Sequence, residues 1–94
     1  MDFRTKCWID GQFVSAKSGE TFESINPATG KKLCDVARGN SNDIDAAVNA
    51  ARAAFEDGRW SGKTPSERKE VILNLARLIR ENVTEMALLD TLDM

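Results

Sequence analysis

The sequence predicts a mixed α/β chain, α+β when taken by itself: β-hairpin arms over residues 6–38, then two to three helices over 42–94. Three observations predict it. Short runs of strand-forming residues in the first third are broken by turn formers. A Thr64-Pro65-Ser66-Glu67 start signal lies in the middle of the chain. Apolar residues then recur at helical spacing to the end.

Lys6-Cys7-Trp8-Ile9 reads as a short strand, and Gln12-Phe13-Val14 as its return. Asp10-Gly11 between them accepts positive φ and predicts a tight hairpin turn. Ala16-Lys17-Ser18-Gly19 is a second turn. Residues 21–25 alternate, with Phe22 and Ser24 on one face and Thr21, Glu23 and Ile25 on the other. Asn26-Pro27-Ala28-Thr29-Gly30 breaks the chain. Pro27 fixes φ and disfavours helix at Asn26, and Gly30 can turn left-handed. A further strand carries Leu33, Asp35 and Ala37 against Cys34, Val36 and Arg38, and Gly39 ends it.

The remainder reads as helix. Ser41 is the expected N-cap, with Asp43 and Asp45 where the helix dipole favours negative charge. Ile44, Ala47, Val48, Ala51 and Phe55 form one stripe, and Gly58 is the expected stop. Trp60 is expected to plug the gap between helices. Thr64 and Glu67 predict a capping box with Pro65 at N1. Val71, Ile72, Leu75, Leu78 and Ile79 make an apolar face. Asn82 and Val83 interrupt it, and a third helix from Thr84 carries Met86, Leu88, Leu89 and Leu92. The pattern runs to Leu92 with no stop signal, and two-stranded arms are marginal alone. The reading is therefore the start of a larger protein.

Composition narrows the chemistry. A 94-residue chain of net charge -2 has no clustered positive excess for nucleic acid. Lys63, Arg68, Lys69, Arg77 and Arg80 alternate with Glu67, Glu70 and Glu81, the pattern of a solvated helix face. No apolar run suffices to span a bilayer, and the N-terminus lacks a secretory h-region, so the expectation is a cytoplasmic protein with no membrane partner. The chain has no histidine, which excludes a Ser-His-Asp or Cys-His site within it. Cys7 and Cys34 have neither zinc nor redox spacing and read as small apolar strand residues.

Four stretches, in order, resemble the N-terminal region of the aldehyde dehydrogenase superfamily: "WIDGQFV" at 8–14, "FESINPATGKKL" at 22–33, "DIDAAVNAARAAF" at 43–55 and "SERKEVILNLARLIRENVTEMALLDTLDM" at 66–94. The resemblance covers nearly the whole chain and looks closest to bacterial enzymes acting on aminoaldehydes or betaine aldehyde. It implies that residues 1–94 are the N-terminal part of an NAD(P)-binding domain. It implies an oxidoreductase that turns an aldehyde into a carboxylic acid with NAD(P)+, working as a homodimer or homotetramer. The family's cysteine nucleophile, glutamate base and cofactor-contacting groups match no position here. Cys7 and Cys34 are not the nucleophile, and Glu67 and Glu85 are not the base. No catalytic or cofactor-binding residue is assigned, and the chain alone is expected to be inactive and to bind no NAD.

One family site does fall within the chain. The resemblance implies a structural sodium or potassium ion held by the backbone carbonyls of Ser24 and Ile25 and by the carboxylate of Asp93. Hard cations take oxygen ligands, and an irregular backbone before Pro27 can leave carbonyls outside a strand ladder. The plainer reading makes Asn26-Pro27 only a turn and Asp93 only a solvated carboxylate. The alternative for the whole chain is a short non-enzymatic module that binds a partner through uncovered apolar faces. Which aldehyde, NAD or NADP, and which oligomer stay open.

Overall fold

The computed structural model describes residues 2–94. Its strands form two separate antiparallel pairs: β1 (Cys7–Ile9) with β2 (Gln12–Val14), and β3 (Thr21–Ile25) with β4 (Lys32–Ala37). Three helices follow, α1 (Ser41–Glu56), α2 (Pro65–Glu81) and α3 (Val83–Asp93).

The turns follow from local chemistry. Asp10 (φ 53°) and Gly11 (φ 74°) are both left-handed, as the tightest hairpin turn requires. They bring Trp8 opposite Phe13, with ring centroids 4.6 Å apart and an edge-on angle of 65°. The Arg4 guanidinium lies 5.2 Å from the Phe13 centroid. In the second hairpin the Asn26 side chain accepts from the Ala28 N–H at 2.9 Å, and Gly30 (φ 72°) donates to the Asn26 carbonyl at 2.8 Å. The N-terminal segment lies along β4, where the Ala37 N–H donates to the Thr5 carbonyl at 2.8 Å.

The N-cap of α1 is Asn40, one residue before the expected Ser41. Both residue types cap well. Asn40 wins because Asp43 stands three positions on and completes a reciprocal box: the Asn40 side chain accepts from the Asn42 N–H, and the Asp43 carboxylate accepts from the Asn40 N–H, each at 2.9 Å. Gly58 (φ 74°) follows the end of α1 as expected.

Only half of the expected box forms at α2. The Glu67 N–H donates to the Thr64 hydroxyl at 3.2 Å, but the Glu67 carboxylate accepts from that same hydroxyl, not from the Thr64 N–H. The break between α2 and α3 has a local cause. The Asn82 amide donates back to the Leu78 carbonyl at 2.8 Å and gives α3 no side-chain cap, and α3 starts at Val83 rather than Thr84.

The apolar stripes form helices but no core. Phe55 is 66% exposed, and Ile44, Val48 and the whole Val71–Ile79 set stand in solvent. Trp60, expected between helices, is 43% exposed. Outside the strand pairs the principal packing is α1 on β1. The radius of gyration is 16.8 Å, against about 12 Å for a compact domain of this length.

Candidate functional site

The Ser24 hydroxyl donates to Asp93 Oδ1 at 3.1 Å, joining residues 69 apart in sequence. Two local features set this up. In β3, Ser24 pairs with Cys34 but Ile25 pairs with Lys32, so Leu33 is an extra residue in β4 and the register shifts between Ser24 and Ile25. Such a bulge interrupts the ladder bonds at that point and re-aims nearby groups. Asp93 is the last residue of α3, where exposed helix carbonyls already make the end negative. A carboxylate there is disfavoured by the dipole and favours a cation beside it.

These residues border a groove of about 380 Å³ between the N-terminal segment, the β3–β4 arm and α3. Its charged lining is mainly acidic, Asp2, Glu85, Asp90 and Asp93, with Arg4 opposing. Leu33, Cys34, Val36 and Leu89 supply its apolar wall. Of the sequence-assigned set, Ser24 and Asp93 are brought into contact, and Ile25 stands beside them at the bulge. The contact is made by the Ser24 hydroxyl, not by the carbonyl that the sequence reading assigned, and the oxygens of Asp93 lie at a negative helix end. Among the described residues no group of three or more His, Cys, Asp or Glu side chains could hold a metal. Sequence reasoning missed Arg4 and Asp90. Asp90 had a signal, since it precedes Asp93 by one helical turn. Arg4 had none.

Cys7 and Cys34 are free and half-buried. The perturbed titratable groups lie elsewhere. Backbone N–H groups of Asn40 and Lys17 hold the Asp43 carboxyl below its usual range, and the Arg59 side chain does the same for Asp57. Asp57 in turn raises Arg59, their oxygen and Nε 2.9 Å apart. Each of these is a tie within the fold.

Residues 13–94 match the model of the aldehyde dehydrogenase family. Aminoacetaldehyde dehydrogenase of Pseudomonas aeruginosa is 47% identical over 93 residues, which is 99% of this chain and 19% of that protein. The NADP/NAD-dependent aldehyde dehydrogenase PuuC of Escherichia coli is 46% identical over 88 residues, 94% of this chain and 18% of that protein. Indole-3-acetaldehyde dehydrogenase in complex with NAD+ superposes with a TM-score of 0.97 at 40% identity, over 100% of this chain and 19% of that one. A Bacillus cereus aldehyde dehydrogenase in complex with NAD+ gives 0.91 at 50% identity, over 95% of this chain and 18% of that one. The chain spans about a fifth of the length of the relatives it matches. On the sequence and the fold together, the chain belongs to the aldehyde dehydrogenase family.

Proposed function

We propose that these 94 residues are the N-terminal part of the NAD(P)-binding domain of an enzyme that oxidises an aldehyde to a carboxylic acid with NAD(P)+. The observation that carries this is the agreement of nearly the whole chain, in sequence and in backbone, with relatives solved in complex with NAD+. The uncovered faces of α1 and α2 support it, because helices with an apolar stripe need a layer against them. The first-named relative favours an aminoaldehyde as substrate class. We place the whole enzyme in the cytoplasm as a homodimer or homotetramer. The alternative, a partner-binding module, is not favoured, because the family accounts for the same apolar faces.

The chain's own contribution is architectural. NAD(P)+, when bound to the whole enzyme, supplies the hydride acceptor. These residues supply no nucleophile and no base, so by themselves they turn over no aldehyde. The carbonyls of Ser24 and Ile25 and the carboxylate of Asp93 would hold a sodium or potassium ion. That ion would supply only charge, neutralising the end of α3 and fastening the β3–β4 arm to it.

A chimera tests the proposal. These 94 residues replace the matching fifth of the Pseudomonas aminoacetaldehyde dehydrogenase, and aldehyde-dependent NAD(P)H formation is followed by absorbance. The expected result is an active chimera beside an inactive 94-residue chain. A chimera that folds without activity would overturn it.

A further inference from the structure

Among the described residues, only Ala16 and Asp43 are deeply buried, at 5% and 4% exposure. They meet at one junction. Asp43 Oδ1 accepts from the Lys17 N–H at 3.0 Å, and Lys17 follows Ala16 in the turn between β2 and β3. Asp43 Oδ2 accepts from the Asn40 N–H at 2.9 Å, at the start of α1. The most protected place in the molecule is thus a carboxylate whose two oxygens each hold a main-chain N–H from a different element. Only one other side-chain hydrogen bond in the described residues joins strands to helices, that of Ser24 to Asp93.

We propose that Asp43 is a polar latch that seats the strand arms on the helical half, and that the β2–β3 turn and the first turn of α1 open together when it releases. Such seats are usually apolar. Here α1 leaves its large apolar residues in solvent and packs on the arms chiefly at β1, so at the β2–β3 turn the latch is a principal tie to the helix. The β2–β3 turn leads directly into β3, and the neighbouring Glu20 carbonyl accepts from the Arg38 N–H at 2.8 Å. The latch therefore reaches both strands at the open end of the β3–β4 hairpin, where Thr21 pairs with Ala37: the start of β3 through Lys17, and the end of β4 through Asn40. Both latched N–H groups depend on one side chain, so a single rotation about its χ1 frees both. An asparagine keeps one acceptor oxygen but turns an N–H₂ toward the other donor. It therefore loses one of the two bonds.

The test is hydrogen exchange resolved to single amides in the protein as expressed. In the unsubstituted protein the Lys17 and Asn40 amides should show equal protection, within about tenfold, because one opening exposes both. Asp43→Ala should accelerate both by about tenfold or more, since each loses a charge-assisted bond, and leave the amides of α2 unchanged. Thr64→Ala should do the converse, accelerating the first turn of α2 and leaving Lys17 and Asn40 alone. Should Asp43→Ala not fold, Asp43→Asn and the unsubstituted protein decide. Asn should accelerate one or both latched amides without touching α2. Uniform acceleration along the chain, an unchanged pair under either substitution, or widely different protection of Lys17 and Asn40 would each overturn the latch.

Discussion

Leu75→Ala separates a chain that is its own domain from one built to be covered. The accessible surface is 7480 Å², whereas a folded monomer of this mass exposes about 5400 Å². The excess of about 2100 Å² is the size of an obligate interface. Leu75 lies in the middle of the α2 face that contributes to it and is 56% exposed. Less than half of its side chain is withdrawn from water, so its truncation in the 94-residue chain should cost only about 1 kcal/mol, the matching share of full leucine burial. Under a covering layer, the same truncation should cost about 2–5 kcal/mol, with a cavity left behind. The assay is urea unfolding followed by helical circular dichroism, run on the 94-residue chain and on the chimera with the Pseudomonas relative. A cost of 3 kcal/mol or more in the chain alone, or of only about 1 kcal/mol in the chimera, would refute the reasoning.

Three further outcomes are expected. Thr64→Ala removes the acceptor that holds the Glu67 N–H at 3.2 Å and should destabilise the first turn of α2 by about 1 kcal/mol, the usual worth of such a cap, read as faster amide exchange at residues 66–68. The folded Asp43 carboxyl titrates below its ordinary 3.8. Its contribution is therefore complete above the unfolded value of about 3.9 and is lost as pH falls through the lower folded value; the Asn40 and Lys17 backbone N–H groups lower it most, and the Lys17 charge adds to them. The effect of Asp43→Asn on helical signal should thus be full from about pH 5 to 7 and should shrink as pH falls below the unfolded value toward the lower folded one. At the groove, Asp93→Asn should abolish any difference in melting temperature between sodium or potassium chloride and choline chloride at equal ionic strength. Ser24→Ala, which keeps the backbone carbonyl, should preserve it. Equal loss in both variants would assign the effect to the Ser24–Asp93 hydrogen bond alone.

The turns were legible because their causes are local. Asp10-Gly11 and Asn26 to Gly30 carry their own conformational demands, and the structure puts left-handed residues where those demands lie. The α1 cap was misplaced by one residue because Asn40 and Ser41 are both good caps, and only the pairing with Asp43 chooses between them. Helical periodicity identified the apolar faces of α1 and α2 but could not say what covers them. That is why Trp60, expected between helices, stands in solvent, as do Phe55 and Leu75 on the two apolar faces. The Ser24–Asp93 hydrogen bond spans 69 residues, beyond any local signal; the family resemblance implied a cation between the Ser24 carbonyl and Asp93, not this hydroxyl bond. Asp43 was read for its charge near the helix dipole. Its second bond, to Lys17, depends on how the β2–β3 turn meets α1, and no spacing rule records that.

The most direct test is the intact mass of the native gene product in the cells that express it, with aldehyde-dependent NAD(P)+ reduction measured on the same purified species. A polypeptide about five times heavier than 10.4 kDa, active on an aminoaldehyde, is the predicted result, since the chain covers 19% of its Pseudomonas relative. A stable native species at 10.4 kDa that reduces no NAD(P)+ would contradict the account and leave the exposed helix faces to another partner.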